Sequence, residues 1–427
     1  MDYALSQNGN QLRMEFTLDE DDNESFKEKF HIGKRTCIFN MPHGWDLTSV
    51  HPDLLALTCI AITHPFIGQR VNLPLAISSG FAETYTSITR KEIGPVDESI
   101  KRREPSGNPR PGLAYSGGLD STVAIALMPA DTVSIFLDRI VDRNRPTLYD
   151  KDAAHWACES LQKRGYHVLM VGTDLEYVRD PIGFPVDIAN ATPALLLSDM
   201  LSLDSIGFGT IMESAYGIGH ELFRDYPNGH HYLMWGRLFS AAGLPFFQAV
   251  AGISEVGTTI ISMNSPLGEY AQSCMRGQRQ NPCHNCWKCF RKLLLEAVLN
   301  GHELDNHWLD SLFKIKEAKH FLRSFPIKHE NVLTFATSLY NGNHETLNLL
   351  KRRVRGDILP VEWMQRWYPP SLDVIPEQYK ANLVINIRRF LEPMTEEMQN
   401  FTEAWDMTSM LKDSHYVGLH EQLLKFL

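Results

Sequence analysis

Leu113-Ala114-Tyr115-Ser116-Gly117-Gly118-Leu119-Asp120-Ser121-Thr122 is the stretch on which the reading of this 427-residue chain turns. Its apolar start reads as a strand, residues 116–121 as a glycine-rich loop, and residues 122–128 as an apolar helix. Two glycines permit a tight turn and a close approach to an anion. The hydroxyls of Ser116, Ser121 and Thr122 join the free amides of a helix N-terminus as donors. A pyrophosphate cradle made by Tyr115, Ser116, Gly117, Gly118, Leu119, Asp120, Ser121 and Thr122 is therefore expected. A Walker loop would place a lysine on the β and γ phosphates. None stands here, and the plainer alternative is a serine and glycine turn that starts an ordinary helix.

Cys274, Cys283, Cys286 and Cys289 follow the spacing C-x8-C-x2-C-x2-C. Four thiolates so placed suit a tetrahedral zinc ion, with no position left open, so the metal is expected to be structural. Its binding would contribute on the order of 10 kcal/mol to folding of that lobe. An iron–sulfur cluster is the alternative. Cys37, Cys59 and Cys158 stand singly among apolar neighbours and read as small buried hydrophobes. Met1-Asp2-Tyr3 leads into polar residues, and apolar runs such as 54–63 are too short to span a bilayer. Disulfides, a membrane span and export are disfavoured, and a cytoplasmic protein is expected.

The SGGxDS pattern resembles the PP-loop of ATP pyrophosphatases, which cut ATP between the α and β phosphates and adenylate a substrate. Followed by C-x8-C-x2-C-x2-C about one α/β domain later, it resembles the QueC family, the 7-cyano-7-deazaguanine synthases, over roughly residues 110–300. Residues 133–137 and 167–171 then read as the second and third strands, 152–164 as a helix, and 206–212 as a later strand ending at Glu213-Ser214-Ala215-Tyr216. The resemblance implies ATP with Mg2+, structural Zn2+, and adenylation of the carboxylate of 7-carboxy-7-deazaguanine. Ser116, Asp120 and Ser121 would act on the reacting phosphates, with Asp120 capping the helix, orienting the loop or holding the metal.

Two departures shape the functional expectation. Where the family has a glycine–arginine–asparagine segment, this chain has Ala191-Thr192-Pro193-Ala194. It also carries long extensions on both sides of the matching region. In this it is most similar to the long QueC-like proteins of anti-phage defence operons, the QatC type. That resemblance implies an amide formed on a partner protein rather than a free nitrile. Synthesis of the nitrile and a noncatalytic nucleotide-binding scaffold are the alternatives.

The fold expected is α/β: a doubly wound parallel sheet with a zinc-binding lobe, an N-terminal α+β extension and a helical C-terminal extension. Residues 1–90 form the N-terminal extension, 91–111 a linker, 112–300 the PP-loop domain and 301–427 the helical domain. Asn8-Gly9 signals a hairpin, Ser49 a cap for a helix from Pro52, and His43, Trp45 and Asp46 a capped turn. ATP should lie at the carboxyl ends of the strands, with Asp138 and Arg139 either bordering it or simply closing a strand. Helices are expected over 304–322, 333–340, 345–353 and 378–391, with Trp367-Tyr368 as a core anchor between them. The net charge of −10 disfavours nucleic acid as a partner. Basic residues gather at Arg276, Arg279, Lys288, Arg291 and Lys292 and at Lys351, Arg352, Arg353 and Arg355, mostly as solvated faces.

Overall fold

The computed structural model describes residues 1–141, 151–272, 274 and 276–427. In chain order the strands are β1 (Asp2–Asn8), β2 (Gln11–Thr17), β3 (Ser25–Phe26), β4 (Phe30–Ile32), β5 (Thr36–Asn40), β6 (Arg70–Ile77), β7 (Glu92–Val96), β8 (Arg110–Tyr115), β9 (Val133–Arg139), β10 (His167–Thr173), β11 (Arg179–Asp180) and β12 (Leu203–Gly207). Nine of them form one sheet in the order β12-β8-β9-β10-β5-β2-β1-β6-β7, beside a small sheet β11-β4-β3.

The large sheet is mixed and mostly parallel: the expected parallel sheet is present in β8, β9, β10 and β12, and the strands of the N-terminal extension join it instead of standing apart. β12, β8, β9 and β10 run parallel. β5 joins β10 antiparallel, and β2 and β1 continue that sense before β6 and β7 return to parallel pairing. The cause is local at one end and distant at the other. Asn8 pairs with Gln11, so Gly9 and Asn10 form a two-residue turn, one position later than the Asn8-Gly9 signal suggested. Gly9 takes φ +57° there, and a two-residue turn forces antiparallel pairing. Phe39 and Asn40 then meet Thr173 and Gly172, fusing residues from both parts of the chain into one sheet. The stretch expected as a linker contributes β7.

Helices α1 (Pro52–Thr63), α2 (Ser79–Thr89), α3 (Leu119–Leu127), α4 (Lys151–Lys163) and α5 (Thr192–Leu197) pack on the sheet. α1 is buried from Asp53 to Thr63, and its N-cap is His51 rather than Ser49. β8 and the first five residues of β9 are buried nearly throughout, so their sequences run apolar without alternation. β12 lies at 203–207 instead of 206–212. Its start is masked by Asp204-Ser205, whose side chains bond each other at 2.8 Å, and Gly207 and Gly209 close it.

The chain continues through α6 (Met212–Ala215), α7 (Arg237–Ala241), α8 (Glu255–Asn264) and α9 (Trp287–Leu299). It ends in α10 (Asn306–Phe313), α11 (Lys316–Leu322), α12 (Glu330–Ser338), α13 (Glu345–Arg353), α14 (Glu377–Ile387), α15 (Glu396–Glu403) and α16 (Ser414–Leu424). The single helix expected at 304–322 is two, because Ile315 leaves the helical region at ψ 115°. Trp367 and Tyr368 are buried as an anchor, with the Tyr368 amide bonding Gly252 O at 2.8 Å. No helix among the described residues is long and apolar enough to cross a membrane.

Candidate functional site

β9 and β10 lie on one side of β8, and β12 lies on the other. The carboxyl ends of β8 and β12 therefore flank a point where the strand order reverses, the place where open α/β sheets take ligands. Two loops meet there. Residues 116–118 run from β8 into α3, and residues 208–211 follow β12.

The first loop is held by its own hydroxyls. Ser116 Oγ and Ser121 Oγ are 3.0 Å apart, the Gly118 amide donates to Ser116 Oγ at 3.3 Å, and Ser121 and Thr122 hydroxyls donate to Gly118 O. Gly117 needs its lack of a Cβ for conformation, since φ is +75°. Gly118 is the N-cap of α3 and no side chain caps that helix, which leaves first-turn amides available to an anion. Asp120 is not a cap. Its Oδ1 accepts from Thr258 Oγ1 of α8 at 3.0 Å. The second loop presses against the first: a Cβ on Gly209 would stand 2.8 Å from Ser121 N.

Two cavities meet at Ser116 and Asn190. The first, about 210 Å3, is lined by Ser116, Gly118, Phe136, Arg139, Cys274 and Lys288 among others. The second, about 290 Å3, is lined by Ser116, Asp187, Asn190, Tyr226, His231 and Gln248 among others. Asn190 Oδ1 and Gln248 Oε1 are buried without a hydrogen-bond partner, a costly condition that a ligand can relieve. Burial raises the Asp187 carboxyl, but the ion pair with His231, 3.0 Å away, outweighs it and holds the group below the usual carboxylate range. The second cavity thus offers a carboxylate, two unmatched amide oxygens and a tyrosine in one compact space.

Of the two residues at the end of β9, Asp138 pairs with Lys151 at 3.0 Å and His155 at 2.9 Å. Arg139 pairs with Glu176 at 2.6 Å while lining the first cavity. Glu213 stands back from both cavities, fully buried beneath α8. It accepts from the Glu255 amide at 2.9 Å and from Asn331 Nδ2 at 2.7 Å. Burial and the neighbouring Glu255 push its pKa up to about 7. Asp46 caps the turn at Leu47–Ser49 and Trp45 is buried, as a capped turn requires.

The four cysteines converge so that their sulfurs all lie within 4.8 Å of one another. None is in a disulfide. The Cys283 amide donates to Cys274 Sγ and the Cys289 amide to Cys286 Sγ, at 3.3 and 3.4 Å. Hydrogen bonds from Cys286 and Cys289 hold the Cys274 thiol well below its ordinary range. A closed, largely buried set of four converging sulfurs fits a metal such as zinc. Cys37, Cys59 and Cys158 are buried, and burial pushes Cys59 and Cys158 up to about 12, as inert packing thiols.

The basic residues after the cluster are not a solvated face. Arg291 is buried in an ion pair with Glu255, and Lys292 is buried with no hydrogen-bond partner on Nζ. Arg353 is likewise buried, against Glu330 at 3.0 Å. Sequence reasoning missed Asp187, Asn190, Gly209, His231 and Gln248. Only Gly209 left a signal, as a Gly-x-Gly directly after a strand.

Comparison with known families matches residues 234–406 to a family of unknown function (DUF6395). That span holds α8, the cysteine cluster and α9, and leaves out the glycine loop. No curated protein and no solved structure matches.

Proposed function

We propose that this protein is a QueC-like, PP-loop ATP-dependent ligase that adenylates the carboxylate of 7-carboxy-7-deazaguanine and passes the acyl group to an amine on a partner protein. The observation that carries the reading is the meeting of two cavities at Ser116, beside a glycine loop whose helix starts without a cap. ATP in the first cavity would present its α phosphorus at Ser116. A flat heterocycle in the second would bring its carboxylate to the same point, with Asp187, Asn190 and Gln248 on its hydrogen-bonding edge.

The carboxylate oxygen attacks the α phosphorus, the α–β bridging bond breaks, and pyrophosphate leaves with the electron pair. An amine then attacks the acyl carbon, loses a proton, and displaces AMP to leave an amide. The loop amides and hydroxyls suit the first step because they meet negative charge that grows on the departing oxygens. Asp120, with one carboxylate oxygen taken by Thr258, would hold the Mg2+ that accompanies the phosphates through the other. A zinc ion in the cysteine cluster would be structural. Residues 191–194, which lack the family arginine, are buried, so polar contact with the substrate falls to Asp187 and Asn190 just upstream. The anti-phage setting implied by the QatC resemblance supplies the kind of partner this chemistry needs.

The test is to incubate the protein with ATP, Mg2+ and 7-carboxy-7-deazaguanine, with and without neighbouring operon products, and weigh all small molecules and polypeptides by mass spectrometry. A deazaguanine amide on a polypeptide, with stoichiometric AMP, is the expected result. Free nitrile would make it a small-molecule synthase, and no AMP under any condition would make it a scaffold. Ser116→Ala and Asp120→Ala should each reduce AMP release by about a hundredfold or more; unchanged turnover in both would refute the cradle.

A further inference from the structure

Walker loops carry their phosphate lysine within the loop, and the Ser116–Ser121 segment has none. A cation for the same purpose can come from elsewhere in the fold. Lys288, Arg291 and Lys292 fall at i, i+3 and i+4 on α9 and so share one face. α9 packs on α8, and α8 packs on α3, the helix that the loop begins. The start of α9 is fixed by the cysteine cluster, because Cys286 is its N-cap and Cys289 lies in its first turn.

The three cations differ in how far they are occupied. Arg291 is bound to Glu255. Lys288 lines the first cavity with Ser116 and Gly118. Lys292 is 2 % exposed, yet its ammonium makes no hydrogen bond. It stands one turn after Lys288 on the same face of α9, the face that reaches the first cavity through Lys288. An interior ammonium with its three donors unmet is a strained arrangement unless an acceptor arrives.

We propose that Lys292, with Lys288 at the cavity mouth, forms the second wall of an anion site facing the glycine loop, and that its ligand is the pyrophosphate moiety of the nucleotide. This rests on the nucleotide reading above and adds the residue that holds the leaving group. As the α–β bond breaks, the electron pair and the charge go to the bridging oxygen of pyrophosphate. The Lys292 ammonium donates hydrogen bonds to that group without giving up its proton. The cysteine cluster thereby gains a part in binding, since it sets where this face of α9 stands.

The experiment is calorimetric titration of the full chain with Mg2+–pyrophosphate and, separately, with AMP, for wild type, Lys292→Met and Lys292→Arg, with a melting curve for each. Wild type should bind both ligands. Lys292→Met should weaken pyrophosphate by about tenfold or more, leave AMP unchanged, and keep a cooperative melt, because Glu255 retains its ion pair with Arg291. Lys292→Arg should keep most of the pyrophosphate affinity. Equal pyrophosphate binding in wild type and Lys292→Met overturns the proposal, as does equal loss in both variants, which would indicate packing rather than charge. A Met variant that does not fold overturns it too, since the lysine would then be a structural group. Wild type that binds neither pyrophosphate nor AMP overturns the nucleotide reading itself.

Discussion

The two halves of the large sheet treat their polar groups in opposite ways. Around β5, β2, β1, β6 and β7 the chain consumes them. Asp53, fully buried, accepts from the Ser78 amide at 2.9 Å and its hydroxyl at 2.6 Å, and so fastens α1 to the start of α2. Trp45 Nε1 donates to Leu196 O at 2.7 Å, and Asp174 binds the Ile38 amide of β5 at 2.8 Å. His64 Nδ1 and Tyr85 Oη are the exceptions among the described residues up to 96. Around β12 and β8 the opposite holds: α3 starts uncapped, and Asn190 Oδ1 and Gln248 Oε1 share one cavity with no partner. A buried polar atom left unmatched costs about 1–3 kcal/mol. One half spends its polar groups on its own stability, and the other holds them ready for a ligand.

Metal removal should expose that difference most strongly. Purified protein should carry one zinc per cluster, read by elemental analysis. Chelation, or Cys286→Ser, should remove a binding contribution on the order of 10 kcal/mol. Hydrogen exchange should then accelerate in α9 and in residues 116–121, while residues 1–96 keep their protection. Protein that contains no metal and melts identically with and without chelator would remove the cluster from this account.

Paired substitutions should then separate the halves. Asp53→Asn leaves one of two Ser78 donors without its carboxylate oxygen and should cost about 1–3 kcal/mol in denaturant unfolding, with AMP release per folded molecule unchanged. Gln248→Leu removes an unmatched carbonyl together with one long hydrogen bond from Nε2 to the Tyr226 hydroxyl at 3.4 Å, so stability should fall by no more than about 1 kcal/mol while the KM for the proposed carboxylate substrate rises. The contrast fails if Gln248→Leu destabilises as much as Asp53→Asn.

What could be read in advance follows the same division. The glycine loop and the cysteine cluster were legible because their chemistry lies in contiguous or closely spaced residues. β9 was legible because a buried parallel strand runs apolar without interruption, and β10 because its run Val168–Val171 is apolar although Met170 is exposed. The second cavity was not, since Asp187, Gly209, His231 and Gln248 come from separate segments that only the fold assembles. Nor was the mixed sheet, which depends on Phe39 meeting Thr173 far along the chain. The burial of Lys292 was hidden for a different reason. Cations at helical spacing normally mark a solvated face, and nothing local reveals that α8 covers this one.

The pH-dependent effect concerns the acid pair at the start of α8. Glu213 is raised, first by burial and then by Glu255, to about 7, so between its unfolded value of 4.5 and about 7 the folded protein binds more protons than the unfolded chain. Its stabilising contribution is therefore full below 4.5 and is lost as pH rises through about 7. Glu255 acts outside that window: burial raises it, but Arg291 and Lys292 outweigh burial and depress it, so its contribution is present above 4.5 and lost as pH falls through the depressed value. His64, lowered by burial to about 4, gives stability that increases with pH up to 6.5 and opposes Glu213, which makes the difference between variants the proper readout. Glu213→Gln mimics the protonated acid and keeps one oxygen for the Glu255 amide and Asn331. Relative to wild type it should be stabilising at pH 7.5 and close to neutral at pH 4.5, a difference on the order of 3 kcal/mol at most, measured by urea unfolding at both pH values. A wild-type minus variant difference that does not change with pH would show that Glu213 is ionised in the fold throughout, with its charge met by Asn331 and the helix amide alone.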